Sequence, residues 1–297
     1  GNESIKVVQD NPYRLATDIF GIGFLTADKI GEKLGIAKDS DIRAAAGLLY
    51  VLYELTDEGH VYYPYDPLME KCREMLGIDR AIVEKAVTTM AQDRRIVVED
   101  SEDRAVYLSG YHVAEKNLAA RLRTLVNTPQ SLRKIDPEKA VEWLQGKLAI
   151  QLADKQIDAI RCAANNKVMV ITGGPGTGKT TIINAVIKVF SALKAKILLA
   201  APTGRAAKRM SEATGQEAKT IHRLLEFGKE GFKRNEESPL DCHLLIVDEA
   251  SMIDTLLMNH LLKAVPPSAT FIMVGDVNQL PSVGAGNVLR DIIDAGI

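Results

Sequence analysis

The sequence predicts an α/β domain with a parallel sheet, preceded by mainly helical modules, and three observations predict it. An apolar run, Val168-Met169-Val170-Ile171-Thr172, leads directly into Gly173-Gly174-Pro175-Gly176-Thr177-Gly178-Lys179-Thr180. Three further runs, Ile197 to Ala201, His243 to Val247 and Thr270 to Val274, alternate with segments of helical period. Before residue 150, apolar positions recur mostly at three- and four-residue spacing.

The glycine-rich stretch fits G-x-x-x-x-G-K-[ST], the pattern of a phosphate-binding loop. Its glycines let the backbone curl so that successive N–H groups face a polyphosphate, and the helix beginning near Lys179 adds the positive end of its dipole. The nucleotide contacts expected here are Gly174, Pro175, Gly176, Thr177, Gly178, Lys179, Thr180 and Thr181. Lys179 reaches the β- and γ-phosphates of ATP, and the Thr180 hydroxyl ligates the accompanying Mg2+. A chance glycine-rich turn would lack the strand that leads in and the amphipathic helix (Ile182, Ile183, Val186, Val189, Phe190) that leads out.

At 297 residues and 46% hydrophobic content the chain can bury more than one core. No apolar run approaches a membrane span, and no basic region followed by an apolar segment opens the chain. The three cysteines, Cys72, Cys162 and Cys242, form no C-x-x-C pair and read as buried thiols of a cytoplasmic protein. The net charge of −2 hides an asymmetry. Residues 1–110 carry 13 Lys/Arg against 20 Asp/Glu, whereas residues 191–235 carry 10 against 4. A polyanion other than ATP is expected on the second region, although a solvated basic surface gives the same count.

The chain in order divides at residues 1–36, 37–112, 113–150 and 151–297. In the first segment, Asn11-Pro12-Tyr13-Arg14-Leu15, Phe20-Gly21-Ile22-Gly23-Phe24 and the helical spacing of Ala27, Ile30 and Leu34 read as helix, tight turn, helix, with Thr26 as a cap. Such a helix-hairpin-helix can hold a DNA phosphate on backbone N–H groups; a purely structural hairpin looks the same. Residues 37–112 read as helix (Ile42 to Glu58), short strand (Val61 to Tyr63), helix closed by Gly77, helix capped by Asp79, and a hairpin of Arg95 to Glu99 with Ala105 to Leu108. That order suits a winged helix, whose nearly balanced charges favour packing over duplex binding. Residues 113–150 read as a helical connector, in which a helix from Glu115 to Val126 exposes Arg121 and Arg123.

Gln156 begins the last segment on a helix before the first strand. Its amide offers the donor and acceptor that adenine recognition needs, and equally suits a surface position. Beyond the second strand, Thr203 and Gly204 start one helix and Thr220 another; their hydroxyls and free N–H groups can meet nucleic-acid phosphates. His222 is either a base-stacking group or a structural histidine. Phe227 to Leu240 suits a surface hairpin. The third strand ends in Asp248 and Glu249, where Asp248 can hold Mg2+ and Glu249 can polarise the attacking water as general base. After the fourth strand, Gln279 can sense the γ-phosphate or simply order its own loop.

Gly-Gly-Pro-Gly-Thr-Gly-Lys-Thr, Ala-Pro-Thr-Gly-Arg-Ala-Ala, Val-Asp-Glu-Ala-Ser and Gly-Asp-x-Asn-Gln-Leu-Pro, in this order, resemble the motifs of superfamily 1 DNA helicases of the RecD/TraA type. The N-terminal Asn-Pro-Tyr-Arg-Leu and Gly-Ile-Gly-Phe resemble the helix-hairpin-helix region of stand-alone members. The resemblance implies a RecA-like P-loop NTPase domain over 151–297 in an ATP- and Mg2+-dependent 5′-to-3′ helicase that acts on single-stranded DNA and single/double-strand junctions. It implies adenine contact by Gln156 and catalytic roles for Lys179, Glu249 and Gln279. Thr180 and Asp248 are the implied metal ligands, while Thr203, Gly204, Thr220 and His222 fall among the DNA contacts. The 227–240 segment lies where related helicases carry a strand-separating pin. Family members continue into a second RecA-like domain that supplies an arginine finger, so a fragment lacking its C-terminal motor domain is expected. A small-molecule kinase would leave the Thr203 and Gln279 motifs unexplained. A vestigial motor serving as an adaptor would have no need for both Lys179 and Glu249.

Overall fold

The computed structural model describes residues 8–19, 22–100, 102, 104–148, 152–174, 176–279 and 282–296. The chain divides into two compact units, residues 1–113 and 114–297.

In the first unit, α1 (Arg14–Asp18) and α2 (Phe24–Lys33) are followed by α3 (Asp41–Asp57), β1 (Tyr62–Pro64), α4 (Tyr65–Leu76), α5 (Arg80–Gln92), β2 (Ile96–Val98) and β3 (Ala105–Leu108). β3 lies between β1 and β2 and is antiparallel to both. Along α3, the buried side chains Ala44, Leu48, Val51, Leu52 and Leu55 recur at three- and four-residue steps and form the stripe on which α5 packs. A single apolar cluster runs from Tyr13 through Leu48 and Met69 to Leu108, so the segments divided at residue 36 share one core. The helix start in the first segment differs from expectation. Gly23, not Thr26, occupies the cap position of α2, and Thr26 sits exposed in the first turn. Burial of Phe24, stacked between Tyr13 at 5.7 Å and Tyr50 at 5.2 Å, sets that start. Asp79 stands at the cap of α5 without a side-chain hydrogen bond.

The dividing line between units falls inside α6 (Ser109–Asn127), which is followed by α7 (Pro137–Leu148), α8 (Asp154–Asn165), β4 (Val168–Thr172), α9 (Lys179–Ala192), β5 (Ile197–Ala201), α10 (Gly204–Thr214) and β6 (Ala218–Thr220). Then come α11 (Ile221–Leu224), β7 (Phe227–Gly228), β8 (Gly231–Phe232), β9 (Leu244–Val247), α12 (Thr255–Ala264), β10 (Thr270–Gly275) and α13 (Val288–Asp294). The sheet has the order β4-β10-β9-β5-β6 and is parallel throughout. Successive residues of its inner strands enter opposite cores, Leu245, Val247, Phe271 and Met273 on one face and Leu244, Ile246, Ile272 and Val274 on the other.

The stretch expected as a connector is part of these cores. Leu122 and Leu125 of α6 lie in one, and Ala140, Val141 and Leu144 of α7 in the other. Buried Lys167 donates to the Thr128 carbonyl at 2.8 Å and to that of Pro267, which ties the end of α6 to the loop before β10. Arg121, expected on the exposed side, is half-buried and ion-paired with Glu236. Cys72 and Cys242 are buried, and burial pushes both thiols up to about 12; Cys162 is half-buried. Among the described residues, no helix is long and apolar enough to cross a membrane.

Candidate active site at the carboxyl edge of the sheet

A parallel sheet sends every strand's carboxyl end to one edge, so motifs far apart in sequence converge there. Thr172 pairs with Gly275, Val247 with both Met273 and Ala200, and Ala201 with Thr220. The segments that follow Thr172, Ala201, Val247 and Gly275 enclose a cleft of about 610 Å³, lined by Gly176, Thr177, Gly178, Lys179, Thr180, Asp248, Glu249 and Gln279 together with Arg209.

The glycine loop is tied together by its own side chains. The Lys179 ammonium donates to the carbonyls of Gly173 and Gly174, the latter at 2.9 Å, and the Thr177 hydroxyl donates to Gly174 O at 2.9 Å. Gly176 and Gly178 have φ of 75° and 85°, the left-handed region where a Cβ is strained. At Gly178 a Cβ would also stand 2.7 Å from Gln156 Nε2, so Gln156 of α8 rests against the loop. Its Oε1 accepts from Ala153 N at 3.1 Å, closing the first turn of α8. Thr180 is exposed at the cleft, whereas Thr181 is half-buried in α9 and Gly174 contributes carbonyl contacts behind the loop. Pro175, Leu280 and Pro281 lie outside the described residues, as does Gly21 of the helix-hairpin-helix turn.

Opposite the loop, Asp248 N donates to Ala200 O at 2.9 Å, extending the ladder by one residue and placing the carboxylate at the sheet edge. Burial raises the Asp248 pKa, and the neighbouring Glu249 charge adds to the rise. Asp248 Oδ1 accepts from Glu249 N at 2.9 Å. Glu249 adopts φ 52°, ψ 40°, a left-handed conformation uncommon for a non-glycine residue. Its Oε1 is 2.5 Å from Arg209 Nη2 of α10. Gln279 is held by Asp276, through a backbone bond of 3.1 Å and a long side-chain contact of 3.4 Å.

Arg209 went unrecognised in the sequence as a cleft residue. It neighbours Lys208, and only the phase of α10, set by burial of Ala206, Ala207 and Met210, turns one of the two basic side chains toward Glu249. The other, Lys208, lies 3.9 Å from Glu212.

The expected strand contacts lie at the same edge. Thr203 Oγ1 accepts from Ala206 N at 3.2 Å and Thr220 Oγ1 from Arg223 N at 3.2 Å, so both threonines cap the helices they precede. Gly204 is exposed. Exposed His222 stands 5.6 Å from the rings of both Phe227 and Phe232, and those two residues pair in the short hairpin β7–β8. β6, which joins these contacts to the sheet, was not foreseen, because Ala218-Lys219-Thr220 carries no apolar run.

The cleft fits magnesium-bound nucleotide. Its loop has left-handed glycines at a helix N-terminus, its ammonium is parked on carbonyls it can exchange for phosphate oxygens, and its half-buried carboxylate with raised pKa gains from a cation.

Residues 156–285 match the family described as AAA domain, and residues 1–62 match that described as ATP-dependent RecD2 DNA helicase HHH domain. The chain is 38% identical over 291 residues to the ATP-dependent RecD2 DNA helicase of Deinococcus radiodurans, covering 94% of this chain and 40% of that one. It is 34% identical over 223 residues to the RecBCD enzyme subunit RecD of Mycobacterium tuberculosis, covering 65% and 36%. The Pif1 helicase structure from Candida albicans is 24% identical, with a TM-score of 0.33, over 45% of this chain and 34% of that one. The chain spans about two-fifths or less of the length of these two curated relatives. With a likeness that runs through both the helical module and the sheet unit, this sequence belongs to the RecD-like branch of the superfamily 1 helicases.

Proposed function

We infer that the cleft binds ATP with Mg2+ and hydrolyses it as one half of a cytoplasmic 5′-to-3′ DNA helicase motor that moves on single-stranded DNA and works at single/double-strand junctions. The observation that carries this reading is the convergence of Lys179, Thr180, Asp248, Glu249 and Gln279 on one 610 Å³ cleft at the sheet edge. Thr180 and Asp248 would hold the Mg2+, which supplies charge neutralisation to the phosphates. Lys179 leaves the Gly173 and Gly174 carbonyls to bind phosphate oxygens, Glu249 accepts a proton from the attacking water, and Gln279 orders the γ-phosphate side. Gln156 faces the adenine while bracing Gly178. Thr203, Gly204, Thr220 and His222 meet the strand, and the β7–β8 hairpin stands where a duplex would be parted.

Movement on a strand needs two such domains that close around nucleotide and alternate their grip. A second motor domain would also bring an arginine worth about 10³ to 10⁵ in turnover. Residues 1–297 alone are therefore expected to bind nucleotide, to hydrolyse it slowly and not to unwind a 5′-tailed duplex.

Calorimetry with Mg–ADP tests the central assignment. Replacing Lys179 by Ala should weaken binding about 10- to 100-fold, the loss of one charge-assisted contact; equal affinities for the two proteins would overturn it.

A further inference from the structure

The Arg209–Glu249 pair is not explained by nucleotide binding or by packing. Arg209 is 61% exposed and Glu249 only 19% exposed, and they touch through one short contact of 2.5 Å across the mouth of the cleft. Among the described residues, no other ion pair joins a cleft carboxylate to a separate helix. That helix, α10, begins at Gly204, one of the expected strand contacts, and Arg209 follows five residues later, about 7.5 Å along its axis at 1.5 Å per residue.

The helix can transmit displacement because it is anchored along its length. Thr203 caps its start. Ser211 Oγ accepts from Ala218 N of β6 at 2.8 Å, and Asn184 Nδ2 of α9, the helix of the glycine loop, donates to Ala213 O at 3.0 Å. Ala206, Ala207 and Met210 are buried beneath it. A shift at its start is therefore felt by β6, by α9 and by the guanidinium on Glu249.

We propose that Arg209 is a positioning residue that couples strand contact at Thr203 and Gly204 to Glu249, holding the carboxylate away from the phosphate side of the cleft until a bound strand or a polyphosphate draws the guanidinium off. The chemistry is an exchange of partners. Arg209 gives up a single contact to a carboxylate for phosphate oxygens, which its planar fork can meet bidentately, and Glu249 is left free to accept a proton from water. This inference rests on the reading of Glu249 as the base and of α10's start as a strand contact.

The test is thermodynamic and needs no turnover. Affinity of the 297-residue chain for Mg–AMP-PNP is measured by calorimetry with and without saturating oligo(dT), in the wild type and in the variants Arg209→Gln, Arg209→Lys and Arg209→Gln/Glu249→Gln, each shown by thermal melting to be folded. Coupled sites shift each other's affinity reciprocally, by about 5-fold or more. The wild type should show such a factor, Arg209→Gln should bring it to within about twofold of one, Arg209→Lys should retain part of it, and the double variant should lose nothing further. A wild-type factor near one, or the same factor in Arg209→Gln as in the wild type, would overturn the coupling. Failure of the underlying function is told apart from this: it appears as absent binding of oligo(dT) or of Mg–AMP-PNP by the wild type itself.

Discussion

Two arginine–carboxylate pairs in this chain use the same chemistry to opposite ends. In the N-terminal unit, Arg43 grips Asp28 with two nitrogens, at 2.8 and 3.1 Å, and also donates to the carbonyls of Lys38 and Leu76. Tyr13 completes the carboxylate's shell at 2.7 Å. The two charged side chains are 12% and 24% exposed. At the sheet edge, Arg209 meets Glu249 through one contact and stays mostly in solvent. The first pair joins α2 to α3 and ties them to the residue before α1, to the turn after α2 and to the last residue of α4. The second can be exchanged at small cost, because its guanidinium is 61% exposed and is held by a single contact. Burial of the guanidinium and multiplicity of contact, not residue type, separate a structural lock from an exchangeable contact.

The same contrast covers the surrounding charges. On the N-terminal unit, Arg80 is paired with Asp66 and Glu84, and Lys85 with Asp41 at 2.5 Å, so these basic side chains are already answered. At the cleft, the Lys179 ammonium rests on neutral carbonyls, and Asp248 is held up in pKa, first by burial. Function requires that kind of unfinished electrostatics, which is completed when ligand arrives.

The comparison can be broken most forcefully at Glu249. Glu249→Gln keeps the shape and removes the proton acceptor, so single-turnover hydrolysis should fall about 10²- to 10⁴-fold with Mg–ADP affinity retained within a few-fold. Undiminished hydrolysis measured by quenched phosphate release would take Glu249 out of the reaction.

Next in size is the lock. Arg43→Ala leaves Asp28 desolvated without its cation and should cost about 3 kcal/mol in urea unfolding of the N-terminal unit. Here the sign of the pH dependence is fixed by Asp28, whose pKa lies below the usual carboxylate value because hydrogen bonds from Arg43 and Tyr13 outweigh its burial. Its stabilisation is present above the unfolded pKa and is lost as pH falls through the folded one; in Arg43→Ala that acid-side loss should largely vanish.

Asp248 should behave in the opposite way. Its raised pKa means that the ionised form is penalised in the folded state, a cost present at neutral pH and relieved as pH falls through the folded-state value. Asp248→Asn should therefore raise the melting temperature of the nucleotide-free chain by on the order of 2 °C at pH 7.5, with the gap closing toward acid, while Mg2+-dependent nucleotide affinity drops. A destabilised variant at pH 7.5 would show that the carboxylate serves packing.

The smallest expected effect sharpens the contrast with Arg43. Arg209→Ala should change unfolding free energy by no more than about 0.5 kcal/mol, read in the urea unfolding of the sheet unit. A loss as large as that of Arg43→Ala would make the sheet-edge pair a second lock.

The sequence by itself determined the local chemistry and the order of its parts. Gly176, Gly178, Lys179 and Thr180 carry their own conformational and charge requirements, and the runs that became β4, β5, β9 and β10 each declare a buried strand by composition alone. Tertiary structure decided what depends on neighbours distant in sequence. Gly23 replaced Thr26 at the start of α2 because Phe24 had to fill a gap between Tyr13 and Tyr50. Three residues without an apolar run became β6 because β5 offered them a ladder. A stretch expected as a connector became core because the sheet had two faces to cover. Arg209 became the partner of Glu249 through the phase of one helix against a strand 40 residues away. Short-range signals are written in residue type and spacing, whereas the meeting of two charged side chains across a sheet edge is set by packing geometry that no local window contains.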